Sequence, residues 1–360
     1  MRTRWRRGVV VAALALLVSG CGVLSTKEDR AFAAELAERV HPGELRLIGA
    51  RTLFPETSGS EVTYALRDDP DAFVRLRVDA GRERCEGSGD CAAALREARA
   101  RGEAAAAEWR LLRDELGRCG YEVHAVRVLR GTVFEPWIAT ELTEPGLADQ
   151  LARIGGCLER YARALPAATA AERTGTSVHI ASPAAVRELP RGEEDAPTLL
   201  RLSSSGRQAA LAARTSHAVA YTWRDGALLP DSGRPRIVRT REDRLAFTAA
   251  VHDATDAWLA RSVPGARAVR TWGGVWSLLP GRLDRQRGYV LFCEGPVAAD
   301  ERCLGKDAVL VTVDPAGRLV AEPQVVRDVR EGRGPLNLPP LDPPPGSSEV
   351  GPPVGPPPGD

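Results

Sequence analysis

Four scarcities narrow what this chain of 360 residues can be. It has almost no lysine: among 49 basic side chains only Lys27 and Lys306 are not arginine. The residues three positions before them are Leu24 and Cys303, which excludes the Ser-x-x-Lys nucleophile of acylating enzymes. No Gly-x-Ser-x-Gly, His-Glu-x-x-His, P-loop or strand-linked Gly-x-Gly-x-x-Gly occurs either, so standard hydrolase, zinc-protease and nucleotide signatures are missing. Net charge is also missing, at +1 for the whole chain, and this predicts no general attraction to nucleic acid. Finally, no apolar run reaches the roughly 20 residues that a membrane-crossing helix needs.

What is present begins at the N-terminus. Arg2, Arg4, Arg6 and Arg7 precede an apolar stretch from Val9 to Val18, and Val18-Ser19-Gly20-Cys21 closes it. A basic segment, a short apolar core and small residues are the parts of a secretory signal. The four-residue run resembles the lipobox of bacterial lipoproteins. That resemblance implies cleavage before Cys21, diacylglyceryl modification of its sulfur, and a mature chain held on the outer face of the cell membrane. Membrane lipid is then the first partner, and two acyl chains anchor stably where one does not. Arg6-Arg7 hints at twin-arginine export, although Trp5 and Gly8-Val9-Val10 fit that pattern poorly. The arginine, alanine, glycine and proline bias adds a similarity to the uncharacterised membrane-anchored lipoproteins of actinomycetes.

Cleavage would remove four arginines and no acid, leaving 45 basic against 48 acidic side chains. It would also leave six cysteines: Cys85, Cys91, Cys119, Cys157, Cys293 and Cys303. An even set in an oxidising compartment favours disulfides, with 15 possible connectivities. Proximity suggests 85–91, 119–157 and 293–303. No CxxC or Cys-x-x-His is available for zinc, so neither a metal nor any other cofactor is expected.

Periodicity predicts an α+β fold of mostly antiparallel sheets with helices packed on one face. Helices are expected at Glu28–Val40, Ala92–Leu116 and Leu147–Leu165, the last capped by Thr143, and from Arg241 to about Arg261 behind a Thr240-Arg241-Glu242-Asp243 capping box. Strands are expected at Leu45–Phe54, around Val62–Leu66 and Val74–Val78, from Tyr121 with a bulge near Ala125 to a turn at Arg130-Gly131, in the partner from Thr132 to Thr140, at Ser177–Ile180 within the linker, and at 218–223, 288–293, 308–313 and 319–326. The organisation reads as a signal peptide (1–20), a tether (21–27), two similar-sized domains (28–165 and 198–334) joined by a linker (166–197), and a disordered tail (335–360). Eleven of the tail's 26 residues are proline, which favours polyproline character.

Candidate chemistry is sparse. His252 and Asp256 lie four apart on a predicted helix and could pair as a base with its orienting carboxylate, or simply as surface groups. Asp68, Asp69 and Asp71 lack the 12-residue rhythm of a calcium loop and fit a turn. Trp272-Gly273-Gly274-Val275-Trp276 could form an aromatic platform or belong to the core. The function that follows is a non-enzymatic binding or accessory envelope lipoprotein meeting an envelope protein or a small ligand. The alternative is a membrane-tethered hydrolase of cell-wall or extracellular material built on His252 and Asp256.

Overall fold

The computed structural model describes residues 26–53, 58–86, 90–129, 131–295 and 303–341. Cys21, the signal segment and the tail beyond Leu341 lie outside the described residues. The chain is α+β, with sheets whose pairings are antiparallel except at one junction.

It divides into two units that take turns along the sequence. The first comprises 1–114, 124–136 and 190–208; the second comprises 115–123, 137–189 and 209–360.

The first unit is built on an antiparallel sheet in the order β1 (Leu45–Thr52), β2 (Ser60–Leu66), β3 (Phe73–Asp79), β4 (Arg84–Cys85). Val62, Tyr64, Leu76 and Val74 pair across β2 and β3 and share one buried face, as their alternation requires. Helix α1 (Lys27–Val40) lies on that face, where Tyr64 Oη donates to the Ala33 carbonyl at 2.8 Å. Below it the buried Asp29 carboxylate accepts from Ser60 Oγ at 2.5 Å and from the Ala80 amide at 2.8 Å. Helix α2 (Cys91–Arg118) packs against β3. A Cβ on its Gly102 would stand 2.4 Å from the Phe73 carbonyl oxygen, so only glycine allows this approach. The Asp68–Asp71 turn joins β2 to β3, and Arg110 of α2 bonds both Asp69 and Asp71. Burial alone would raise the Asp69 carboxyl; the bonds from Arg110 and the Asp71 amide outweigh it and hold it below its ordinary value.

The remaining sections of this unit are β5 (Val123–Leu129) up to its last six residues' hairpin with β6 (Thr132–Ala139), and the segment 190–208. Ala125 and Val126 are both fully buried, the break in alternation expected near Ala125. The 190–208 segment is held by the Thr198 amide on the Pro70 carbonyl (2.9 Å) and by Arg46 Nη2 on the Asp195 carbonyl (2.9 Å). Glu193, Glu194 and Asp195 are exposed.

In the second unit, the last three residues of β6 pair in parallel with β7 (Gly175–Ala181), which pairs antiparallel with β8 (Ser216–Arg224). Beyond β8 lie β9 (Ala227–Leu228) and the edge strand β10 (Arg234–Val238). Helix α3 (Leu147–Ala164) has no side-chain cap from Thr143; a single 3₁₀ turn over Glu144–Gly146, with Pro145 in it, leads in instead. Gly155, awkward in a helix by propensity, is explained by contact: its Cβ would meet the Pro230 carbonyl oxygen at 2.4 Å.

Residues 166–197 therefore do not act as a linker. They hold the short helices α4 (Ala167–Ala171) and α5 (Pro183–Arg187) around β7, whose Val178 and Ile180 are buried between neighbouring strands. Residues 166–189 belong to the second unit and 190–197 to the first, followed by the short helices α6 (Thr198–Leu202) and α7 (Ser205–Ala212).

The last sheet orders β11 (Ala266–Ala268), β13 (Gln286–Glu294), β14 (Asp307–Val313) and β15 (Gln324–Val326), with β12 (Trp276–Leu278) also on β13. Helix α8 (Arg241–Ser262) starts as the capping box predicts, Thr240 Oγ1 accepting from the Asp243 amide at 3.1 Å. Phe247, Val251, Trp258 and Leu259 of α8 pack on Val290, Phe292, Val309 and Val311. The opposite face of β13, carrying Tyr289 and Leu291, is covered by Leu336, Leu338 and Leu341. A strand buried on both faces reads as an unbroken apolar run, here Tyr289 to Phe292. The tail expected from 335 onward thus starts later: residues 335–341 carry three leucines, and the Asn337 amide bonds the Val329 carbonyl at 2.8 Å.

Three disulfide pairs occur: Cys85–Cys91, Cys119–Cys157 and Cys293–Cys303, with Cα separations of 5.1, 6.4 and 6.1 Å. Among the described residues no helix is long and apolar enough to cross a membrane.

Candidate functional site

The site starts from two glycines. Trp276 opens β12 and pairs with Gly288 of β13. A Cβ at Gly288 would fall 2.4 Å from the indole Cε3, so the missing side chain is what lets the ring lie flat on the β13 backbone. Gly274 has φ +78°, and its Cβ would meet the indole Nε1 at 2.6 Å. The nitrogen itself donates to the Gly273 carbonyl at 3.0 Å. Phe247 of α8 meets the indole edge-on, with centroids 5.1 Å apart and planes at 80°. The indole orientation is fixed from several sides.

Around this ring runs a two-lobed cleft. One lobe, about 310 Å³, is lined by Arg239, Arg244, Phe247, Thr248, Gly273 and Gly274. The other, about 550 Å³, is lined by Ser177, Arg234, Pro235, Tyr289 and the segment Leu338–Leu341. Arg236, Val275 and Trp276 line both. Four arginines border the cleft, and no aspartate or glutamate lines either lobe.

Local structure places those arginines. Arg234 and Arg236 alternate with the buried Pro235 and so point outward from β10, an edge strand where proline is tolerated. Arg239 stacks its guanidinium 3.6 Å above the Phe247 ring and donates to Gln286 Oε1 (3.1 Å) and the Pro315 carbonyl (3.2 Å). Burial lowers its pKa, although an arginine remains charged at any working pH. Arg236 and Arg244 are exposed, with no ion-pair or hydrogen-bond partner among the described residues. The positive charge of Arg236 and Arg244 over apolar and aromatic walls suits an anion with an apolar body.

The two tryptophans of the sequence motif part company. Trp276 packs toward α8, whereas Trp272 packs with Val269, Tyr289 and Leu291 on the other side of the sheet. Both are half-buried. The intervening glycines, one at positive φ, break the strand phase that would have put them on one face.

His252 and Asp256 each bond to other groups. His252 is 4 % exposed and hydrogen-bonds the Trp272 backbone; burial, then the nearby Arg270 charge, lowers its pKa. Asp256 accepts from the Ala268 amide (2.7 Å) and from Arg270 (2.8 Å), which also bonds Asp253. Both side chains pin the strand after α8 back onto the helix, and neither lines the cleft. No group of three or more His, Cys, Asp or Glu among the described residues is arranged to hold a metal ion.

Sequence reading missed the arginines. The signal was present in Arg234-Pro235-Arg236-Ile237-Val238-Arg239, a basic alternation around a strand proline. Comparison of the chain with protein-family models, curated proteins and solved structures finds no match.

Proposed function

We propose that this protein is a membrane-anchored extracytoplasmic lipoprotein that binds an anionic ligand in the cleft around Trp276 and catalyses no reaction of its own. The observation that carries the reading is the cleft around the clamped indole, where Arg236 and Arg244 are exposed with no partner among the described residues and no carboxylate lines the walls. Anchoring follows from the lipobox-like run ending at Cys21 and from the even set of cysteines left after it. Hydrolysis would require a nucleophile and a base in reach of one another. His252 and Asp256 are spent on backbone and arginine contacts away from the cleft.

Two measurements test this. A palmitate analogue fed to producing cells labels the wild type and leaves Cys21→Ala unlabelled; persistent label in the variant overturns the anchor. For the cleft, protein labelled with 5-fluorotryptophan is titrated with phenyl phosphate, using phenyl glucoside as the neutral control. The ¹⁹F resonance of Trp276, assigned by Trp276→Phe, moves with the anion and not with the sugar. Failure of the anion to move it, or an equal response to both, removes the reading.

A further inference from the structure

The larger lobe of the cleft has one wall made of the chain's own C-terminal segment. Leu338, Pro339, Pro340 and Leu341 line it opposite Pro235, Val275 and Trp276. The segment is held by a directed bond as well as by leucine packing: the Tyr289 hydroxyl, on a side chain only 2 % exposed, donates to the Pro339 carbonyl at 2.9 Å. A proline-rich strand has no internal hydrogen bonds, so its carbonyls are open to outside donors. Aromatic-lined grooves with tyrosine or tryptophan donors recognise such strands for that reason.

Nineteen residues follow Leu341, eight of them proline. In polyproline geometry they reach about 60 Å, far more than the cleft requires. Their charges are Asp342, Glu349 and Asp360, with no lysine or arginine among them. They follow Leu341, itself part of the wall of a lobe bordered by Arg236 and lined by no acid.

We infer that the cleft around Trp276 takes a polyproline-type, acidic peptide, and that the peptide it holds is this chain's own segment 342–360, bound intramolecularly. The inference rests on the reading of the cleft as a ligand site and names the occupant. Asp342 meets the arginine rim directly after Leu341, and Pro343, Pro344 and Pro345 then stack along Val275 and Trp276. Any external anionic ligand competes with the tail, so the tail sets the ligand concentration at which the cleft fills.

The test uses the full chain with 5-fluorotryptophan. Pro343, Pro344 and Pro345 are replaced together by glycine. Expected is a shift of the Trp276 resonance alone, and its return when a synthetic peptide of residues 342–360 is added. In the rescue, Arg236→Gln weakens the peptide by about threefold, as expected for one exposed ion pair. A Trp276 resonance that ignores both the triple substitution and the peptide overturns the inference. If phenyl phosphate still moves that resonance, the ligand cleft survives and only the tail assignment falls; if it does not, both fall. Hundredfold dilution of the wild type leaves the resonance in place. A shift on dilution means that the tail sits in a second copy, which refutes intramolecular binding.

Discussion

The two units each carry a concave surface lined by arginines, and they use them in opposite ways. The first unit's depression, about 660 Å³, exceeds either single lobe of the second unit's cleft and is lined by Arg75, Arg77 and Arg101 together with Glu61, Glu86 and Glu97. Each cation there has an acid in reach: Arg75 has Glu61 at 3.8 Å, which Arg51 also bonds at 3.0 Å, Arg77 has Glu86 at 3.6 Å, and Arg101 has Glu97 at 2.6 Å. The second unit's cleft has arginines and no acids. Both surfaces are ample, so size does not choose between them. What distinguishes a ligand site is charge left without an internal answer, because a paired rim has no field to offer an anion.

The contrast can be broken most violently at the indole seat. Gly288→Val forces the Trp276 ring off the β13 backbone and costs about 1–3 kcal/mol by overpacking. Urea unfolding should show that loss, with the phenyl phosphate response gone. Next in size is charge reversal. Arg236→Glu with Arg244→Glu should weaken phenyl phosphate by about tenfold or more, since like charge replaces the attractive rim. Conversely, Glu61→Gln with Glu97→Gln should free Arg75 and Arg101 and give the first unit measurable, salt-sensitive anion binding. Unfolding stability should change there by only about 0.5 kcal/mol per exposed pair.

The smallest effect expected is in the pH response. His217 and His252 are both held below the ordinary 6.5 by burial, and in His252 by Arg270 as well. A histidine with a lowered folded pKa binds its proton more readily when unfolded. Its stabilising effect is therefore complete above 6.5 and is lost as pH falls through and below that value. Denaturation at pH 7.5 and 5.5 should show the decline, and His252→Gln should flatten it. A stability that rises on acidification contradicts the assignment.

Much of the fold was legible along the chain because local periodicity decides it. Tyr64 and Leu76 alternate, α8 announces itself with Thr240 and Asp243, and each cysteine pairs with its neighbour in sequence. The units' boundaries were not legible. Strand β7 was legible as a strand over Ser177–Ile180, but its membership is set by pairing with β8 some 40 residues later. The cleft was half legible. Trp276 stood out by composition, but Gly288 matters only through the cross-strand register that puts it under the ring. The arginines stand within eleven consecutive residues, 234–244, but only the turn from an edge strand into a helix aims them at the indole. Trp272 shows the converse, a residue conspicuous in sequence that folding assigned to a different face.

The disulfide pattern has a consequence for how the chain is made. The bonds join the first cysteine after Cys21 to the second, the third to the fourth, and the fifth to the sixth. An oxidant that meets the polypeptide as it emerges will therefore close each bridge before the next candidate thiol appears. Of 15 pairings, the native one is the order of synthesis itself, so the chain can mature without an isomerase to reshuffle it.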